Sequence, residues 1–409
     1  MHHTTAEAPA PPEAQEGAPA RAAWTPKWIL LGILPLLLLA AIVVAIIATD
    51  GGIGERETPP IEDLSIQRIT LPEPGMIEVD VVNQGPDDIT IAQVQVDGAY
   101  WEYALDGDRT LQPLESTTLE IPYPWVQDET HAIAILSETG VVFEGEVAVA
   151  VESPERDAGT FGRFALIGFY VGVVPIAIGM LWYPFMRRMG SRGLQFVLAL
   201  TVGLLAFLTL DTFQEANEVA VTVPASLDGP LLVPLIALIT FLLLVTVSNS
   251  GGDEARSPLG TSYRIALGIG LHNLGEGLAI GAAFALGEIA LGVFLIVGFT
   301  LHNVTEGVGI AAPILRERPP LPHFAGLAAL AGAPAILGVW IGGFVYSPLW
   351  ATVFLAIGVG ALAQVIVEVA RLIGRWSQRR DGALVTWTTF GGVTAGIVIM
   401  YATALVVLG

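Results

Sequence analysis

Two stretches of the chain carry residues able to hold a cation. They read His272-Asn-Leu-Gly-Glu-Gly and His302-Asn-Val-Thr-Glu-Gly, so His, Asn, Glu and Gly recur at the same offsets. On a helix, His and Glu four residues apart stack on one face. Two imidazoles (His272, His302) and two carboxylates (Glu276, Glu306) would make a cage for a divalent ion, and Asn273 and Asn303 add carbonyl oxygens. Two glutamates cancel the charge of one M²⁺, leaving a neutral cluster. The same donor set suits Zn²⁺, Fe²⁺, Mn²⁺ and Cd²⁺, so the pattern does not choose among them. The competing reading is a hydrogen-bonded His–Glu clasp between helices, with the glycines allowing close contact. The duplication and the depth of both copies weigh against it.

The elements around these motifs are membrane spans. Of 409 residues, 53% are hydrophobic and 14% charged, which rules out an ordinary soluble enzyme. Apolar segments fall near 161–186, 194–211, 230–247, 262–286, 289–314, 324–345, 348–371 and 386–408, each about long enough to cross a bilayer. His272 lies about ten residues into the fourth of these and His302 about thirteen into the fifth, or ~15–20 Å at 1.5 Å per residue. That is near the midplane, where ionisable groups are expensive and usually functional. The two spans run in opposite directions, so the motifs could face each other across a pseudo-two-fold axis.

Charge sets the expected topology. Arg187, Arg188 and Arg192, then Arg256 and Arg264, then Arg316 and Arg318, then Arg371, Arg375, Arg379 and Arg380 collect on alternate connections, while 212–229, 285–289 and 345–349 contain no basic residue. Positive charge stays in the cytoplasm. A multi-pass protein of the cell membrane follows, with residues 50–158 and the C-terminus outside; only Arg163 goes against the bias. A leader, residues 1–27, rich in Pro and Ala and carrying Arg21 and Lys27, should be cytoplasmic and disordered. His2 and His3 there read as incidental. Residues 28–49 hold an uncharged run, Ile29 to Ala48, that reads as an uncleaved anchor. A signal peptide cleaved after Ala48 is the weaker reading, because the run exceeds a signal core.

Residues 50–158 carry 24 of the 39 acidic residues against four arginines. Alternating runs such as Met76–Val82, Ile89–Val96, Thr117–Ile121, His131–Leu136 and Val141–Val151, separated by Gly, Pro and Asp, predict about seven strands and a small immunoglobulin-like β-sandwich. Its acidity could concentrate cations near a pore mouth, though a surface kept soluble in high salt explains it more simply. His131 reads as packed or hydrogen-bonded. The absence of cysteine excludes disulfides and thiolate sites, and no basic footprint supports nucleic-acid binding.

With Ala-Ala-Pro following the second motif, the two stretches resemble the fourth and fifth helices of the ZIP (Zrt/Irt-like) metal transporters, especially the bacterial GufA-like branch. The resemblance covers about residues 160–409 and implies an α-helical polytopic fold: an eight-helix ZIP-like bundle at 159–409, beside which the anchor and β-domain are additions. It implies import of zinc, iron or manganese by alternating access. It also places His272, Asn273, Glu276, His302, Asn303 and Glu306 at the metal site. Where relatives carry glutamate before a sixth-helix proline, this chain has Ala333 before Pro334, which removes a ligand of a second ion and implies one tightly held ion. Ser248–Arg264 lacks the histidines of many relatives' loops. Glu368 resembles an acidic residue on the exit side, with pairing to Arg371 as the alternative. Asp211, with Glu215 and Glu218 on the same face, could guide ions inward or simply solvate a helix end. His323 could receive an ion on exit or be merely solvated.

The expected function is therefore a divalent-metal importer, not an enzyme, with no cofactor beyond the transported ion; its partners are metal ions and lipid, and a homodimer is left open. The alternatives are a metal sensor or receptor using the β-domain to bind a partner, and an intramembrane metalloprotease. The last should show HExxH, and Asn273 stands where its general base would be.

Overall fold

The computed structural model describes residues 26–49, 60–105, 107–250, 257–378 and 385–408. Most of the leader with His2, His3 and Arg21, and also Arg256, Arg379 and Arg380, lie outside the described residues. The chain divides into two compact units at Pro59/Pro60. The described part of the first is one helix, α1 (Pro26–Ala48), which contains Pro35 and exposes Leu36 to Leu39 and Ile42 to Val44.

The second unit begins with two antiparallel sheets. One holds β1 (Leu64–Thr70), β2 (Ile77–Asn83), β7 (Ser116–Ile121) and β5 (Ala104–Leu105) in the order β1-β2-β7-β5. The other holds β4 (Ala99–Trp101), β3 (Ile89–Val96), β8 (His131–Ser137) and β9 (Val142–Val147) in the order β4-β3-β8-β9, with β6 (Thr110–Leu111) pairing β3. Alternate side chains from both sheets, including Ile77, Val79, Val81, Leu119, Ile133 and Ile135, bury into one shared core. In β3 the alternation changes phase: Ile89 and Ile91 are buried, then Val94 and Val96. A register shift against β8 between Ile91 and Gln93 causes it, one extra residue turning the strand over. His131 is buried as expected, its Nδ1 2.8 Å from Asp97 Oδ2.

The rest is helical. Among the described residues, eight helical segments are long and apolar enough to cross a membrane, and they coincide with the eight expected in the bundle. In order these are α2 (Ala158–Gly168), a π-helical turn at Phe169–Val173 and α3 (Val174–Met180), followed by the short α4 (Tyr183–Met186); α5 (Ser191–Ala220); α6 (Gly229–Ser250); α7 (Pro258–Ala285); α8 (Ile289–Ala311); α9 (Leu321–Gly332) with α10 (Pro334–Val345); α11 (Pro348–Gln378); and α12 (Trp387–Leu408). The first and sixth spans are thus both interrupted, one by the π-turn and the other at Pro334, which supplies no N–H.

The spans can be described as two groups. In one, α7 packs on α8, α9 and α10, α8 on α3, and α2 on α10; in the other, α5 packs on α12 and α11, and α6 on α11. The groups meet over a broad interface, α7 packing on α11 as extensively as α6 does and α8 touching α12 and α5. Within the first group a Cβ added at Gly277, Gly281, Gly338 or Gly342 would strike facing backbone, so α7 and α10 touch main chain to main chain. Where α7 meets α11, Gly268 lies against the Val365 side chain and Gly275 against that of Leu355, while Gly358 of α11 approaches the main chain at His272. The largest apolar core occupies the bundle half that ends in the arginine-rich connections, with Ile265, Ile269, Ile310, Ile314, Leu362, Val365 and Val369 among its members. The sheets sit at the opposite end, where Gln84 Nε2 donates to Thr222 O (3.2 Å) and Arg156 to Phe344 O (2.8 Å).

Candidate metal centre

Helices α7 and α8 carry the two motifs. Helix α7 starts cleanly, with the Ser257 side chain accepting from Gly260 N–H and Pro258 in the first turn. His272 falls close to the middle of its 28 residues and His302 close to the middle of the 23 in α8. The last glycine of each motif has a packing role: an added Cβ at Gly277 would meet Ala335 O of α10, and one at Gly307 would meet Ile176 O of α3. Each motif helix is thereby pressed against one of the two interrupted spans.

The six motif residues are all buried, none more than 7% exposed. His272, Glu276 and His302 each offer a ligand atom, and these atoms lie within 4.8 Å of one another. Both Nε2 atoms converge on Glu276 Oε1, His302 at 2.5 Å and His272 at 3.0 Å. The His302 contact is a hydrogen bond, whereas His272 Nε2 is near the oxygen without aligned hydrogen-bond geometry.

The asparagines complete a reciprocal pattern. Asn303 Nδ2 donates to Glu276 Oε2 (3.2 Å) and to Val171 O in the π-turn of the first span (3.1 Å). Asn273 Nδ2 donates to Glu306 Oε2 (3.4 Å) and to Ala331 O beside the break in the sixth span (3.0 Å). Each amide thus ties the other motif's glutamate to an interrupted helix, as a pseudo-two-fold arrangement of the motifs requires. With their N–H groups so occupied, both asparagine Oδ1 atoms are left as acceptors. Asn273 Oδ1, Asn303 Oδ1, Glu306 Oε1 and His272 Nε2 are buried without hydrogen-bond partners. Three of these, the two amide oxygens and the carboxylate oxygen, are acceptors, which are costly to bury unmet, and a divalent cation would meet them.

The other sequence candidates fall outside this cluster. Asp211 is exposed on α5, within electrostatic reach of both imidazoles but not among the converging atoms. Glu215 is half-buried and Glu218 exposed. The next residue after Asp211, Thr212, is the one that reaches the centre: it is buried, with Oγ1 3.4 Å from His272 Nδ1. A threonine in an apolar span gives no sequence signal for this. Glu368 is buried at 2% exposure and pairs with Arg264, not with Arg371, whose Nη1 lies 3.5 Å from Asn249 Oδ1. The alternative pairing followed sequence proximity, whereas the antiparallel packing of α7 on α11 brings Arg264 alongside. His323 is half-buried, its Nδ1 2.9 Å from Tyr263 OH, so it is engaged and not merely solvated. Ala333 caps the sixth-span break and brings no ligand.

No protein-family model matches the chain, and no curated protein matches it significantly.

Proposed function

We propose that residues 159–409 form a ZIP-like transporter that carries a divalent cation across the membrane through His272, Glu276 and His302, with Asn273, Asn303 and Glu306 supplying oxygens. The observation that carries the reading is the convergence of two imidazoles and a carboxylate at mid-length of two helices whose motifs also hold buried acceptors without hydrogen-bond partners. A hydrogen-bonded clasp alone would leave those acceptors unmet. The division into a helix group that holds the cluster and a second group packed against it along α7 and α11 supports alternating access, since one group can shift against the other. Arginine-rich connections at one end, with the acidic sheets at the other, support an orientation with the sheets outside. The strand orders correspond to A-B-E-D and C′-C-F-G, which supports an immunoglobulin-like sandwich outside. A 23-residue α1, ~35 Å long at 1.5 Å per residue, is sufficient for an anchor. Saturable Zn²⁺ uptake by the purified protein in liposomes, lost in Glu276→Gln, tests the reading; no uptake above empty liposomes for any of Zn²⁺, Fe²⁺, Mn²⁺ or Cd²⁺ would reject it.

A further inference from the structure

The helices α7 and α11 run antiparallel, and their facing pairs form a ladder. Gly275 meets Leu355, His272 meets Gly358, Gly268 meets Val365 and Ala361, and Arg264 meets Glu368. Moving from the metal centre toward the arginine-rich end, a cation therefore encounters an apolar layer and then an ion pair between the half-buried Arg264 and the buried Glu368. The layer includes Ile265, Ile269, Leu362 and Val365, all buried, side chains that carry no ligand atom for a cation. Arg264 lies two turns from His272 on the same helix, about 12 Å away at 1.5 Å per residue.

The ion pair joins the two helix groups. Arg264 belongs to α7, the metal-holding group, while Glu368 on α11 and Ser248 on α6 belong to the other; Glu368 Oε2 accepts from Ser248 Oγ (3.2 Å) as Oε1 accepts from Arg264. Thr261 Oγ1, 3.1 Å from Arg264 Nη2, steadies the guanidinium from its own helix. A pair this deep adds little stability over well-packed apolar residues, so its presence is better explained by something it does when made and broken.

We propose that Arg264 is a tethered cation that latches the arginine-rich end of the pathway shut by holding Glu368 across the interface between the two helix groups. This rests on the transport reading. While the latch is closed, the guanidinium occupies the carboxylate that a departing metal ion would otherwise meet. When the groups shift, Arg264 leaves with α7, the Gly268–Val365 layer parts, and Glu368 is exposed to the ion. The positive charge of Arg264 thus stands in for the cargo until release.

The chain has no cysteine, so Ala361→Cys places a single thiol in the apolar layer between the latch and the metal centre; Leu362→Cys is the second reporter should the first not fold. The measurement is the labelling rate by a membrane-impermeant maleimide applied to either side of membrane vesicles, in otherwise native, Arg264→Gln, Arg264→Lys and Glu368→Gln backgrounds. The expected result is labelling at least tenfold faster from the arginine-rich side in Arg264→Gln and Glu368→Gln, no faster from the sheet side, and intermediate in Arg264→Lys. Equal rates in the native and Arg264→Gln backgrounds would overturn the latch, as would a rise from both sides with a fallen melting temperature, which marks general loosening. Zn²⁺ flux by the native chain is measured in parallel. Its absence would reject the transport reading, while the labelling comparison separately decides whether Arg264 closes this end.

Discussion

Replacing Glu276 by Gln keeps the volume of the side chain and removes the charge on which both imidazoles converge. In the native cluster Glu276 Oε1 faces His302 Nε2 at 2.5 Å and His272 Nε2 at 3.0 Å, while Oε2 accepts from Asn303. A glutamine can keep its oxygen toward Asn303 and turn its amide toward His302, which can accept in its other tautomer, so the fold should survive. Metal binding should not. Removing one partner of a buried charged interaction costs about 3–5 kcal/mol, or roughly two to three and a half orders of magnitude in Kd. Glu306→Gln should cost less, about 1.5–3 kcal/mol or roughly one to two orders, since Glu306 is not among the three converging residues and has one long hydrogen bond to Asn273. The assay is Zn²⁺ titration of detergent-purified protein against a competing chelator, with matched melting temperatures as the control for folding. Glu276→Gln binding within threefold of the native chain, or Glu306→Gln losing more than Glu276→Gln, would refute the reasoning.

Asn303→Leu strips the donor from Val171 O and Glu276 Oε2 together, each loss costing about 1–3 kcal/mol; the melting temperature should fall even without metal. Gly277→Ala drives a Cβ into the backbone at Ala335 and should reduce the yield of folded protein, whereas Gly391→Ala, with nothing within 4 Å, should leave it unchanged; size-exclusion profiles of both variants check this. In the sheets, the hydrogen bond to Asp97, helped by burial, pushes the Tyr123 phenol up to about 12. Because that value lies above the ordinary one of 10, the stabilisation is complete below about pH 10 and is lost as pH rises toward 12. Burial works to raise Asp97, but hydrogen bonds from His131, Tyr123 and the Ala132 N–H outweigh it and hold its carboxyl below the ordinary range. Its contribution is therefore present above about pH 4 and lost in acid. The absorbance difference between the native chain and Tyr123→Phe should titrate near pH 12, and near 10 in Asp97→Asn. A protease outside intact cells should reach residues 60–157, while the 316–322 connection should need permeabilised cells.

The spans were legible because ~20-residue apolar runs have few other fates, and the motifs because two identical offsets at one depth are hard to place by chance. The positions of β2, β3, β7, β8 and β9 followed from alternation, while β1 and the two- and three-residue β4, β5 and β6 were not singled out; nor was the phase change within β3, since a bulge is set by pairing with β8 and not by the strand itself. The asparagines were picked out as neutral oxygens; their other role, tying Val171 O and Ala331 O to the opposite glutamates, depends on helix breaks that only the packed bundle reveals. Each break has a proline beside it that the sequence reading did not use as a sign of it, Pro334 in the sixth span and Pro175 just past the π-turn, where it withholds the N–H that Val171 O would otherwise accept from. Arg264 and Glu368 meet across 104 residues of sequence, so neighbouring Arg371 was the partner local reasoning supplied. Thr212 was hidden by the more conspicuous Asp211 beside it.

The central claim is that the His272–Glu276–His302 cluster is the step through which a cation crosses the membrane. The direct measurement is Zn²⁺ flux into liposomes containing the purified protein, compared with His272→Ala/His302→Ala at matched incorporation. The expected result is saturable flux for the native chain and none above empty liposomes for the double variant. Equal flux by both would contradict the claim.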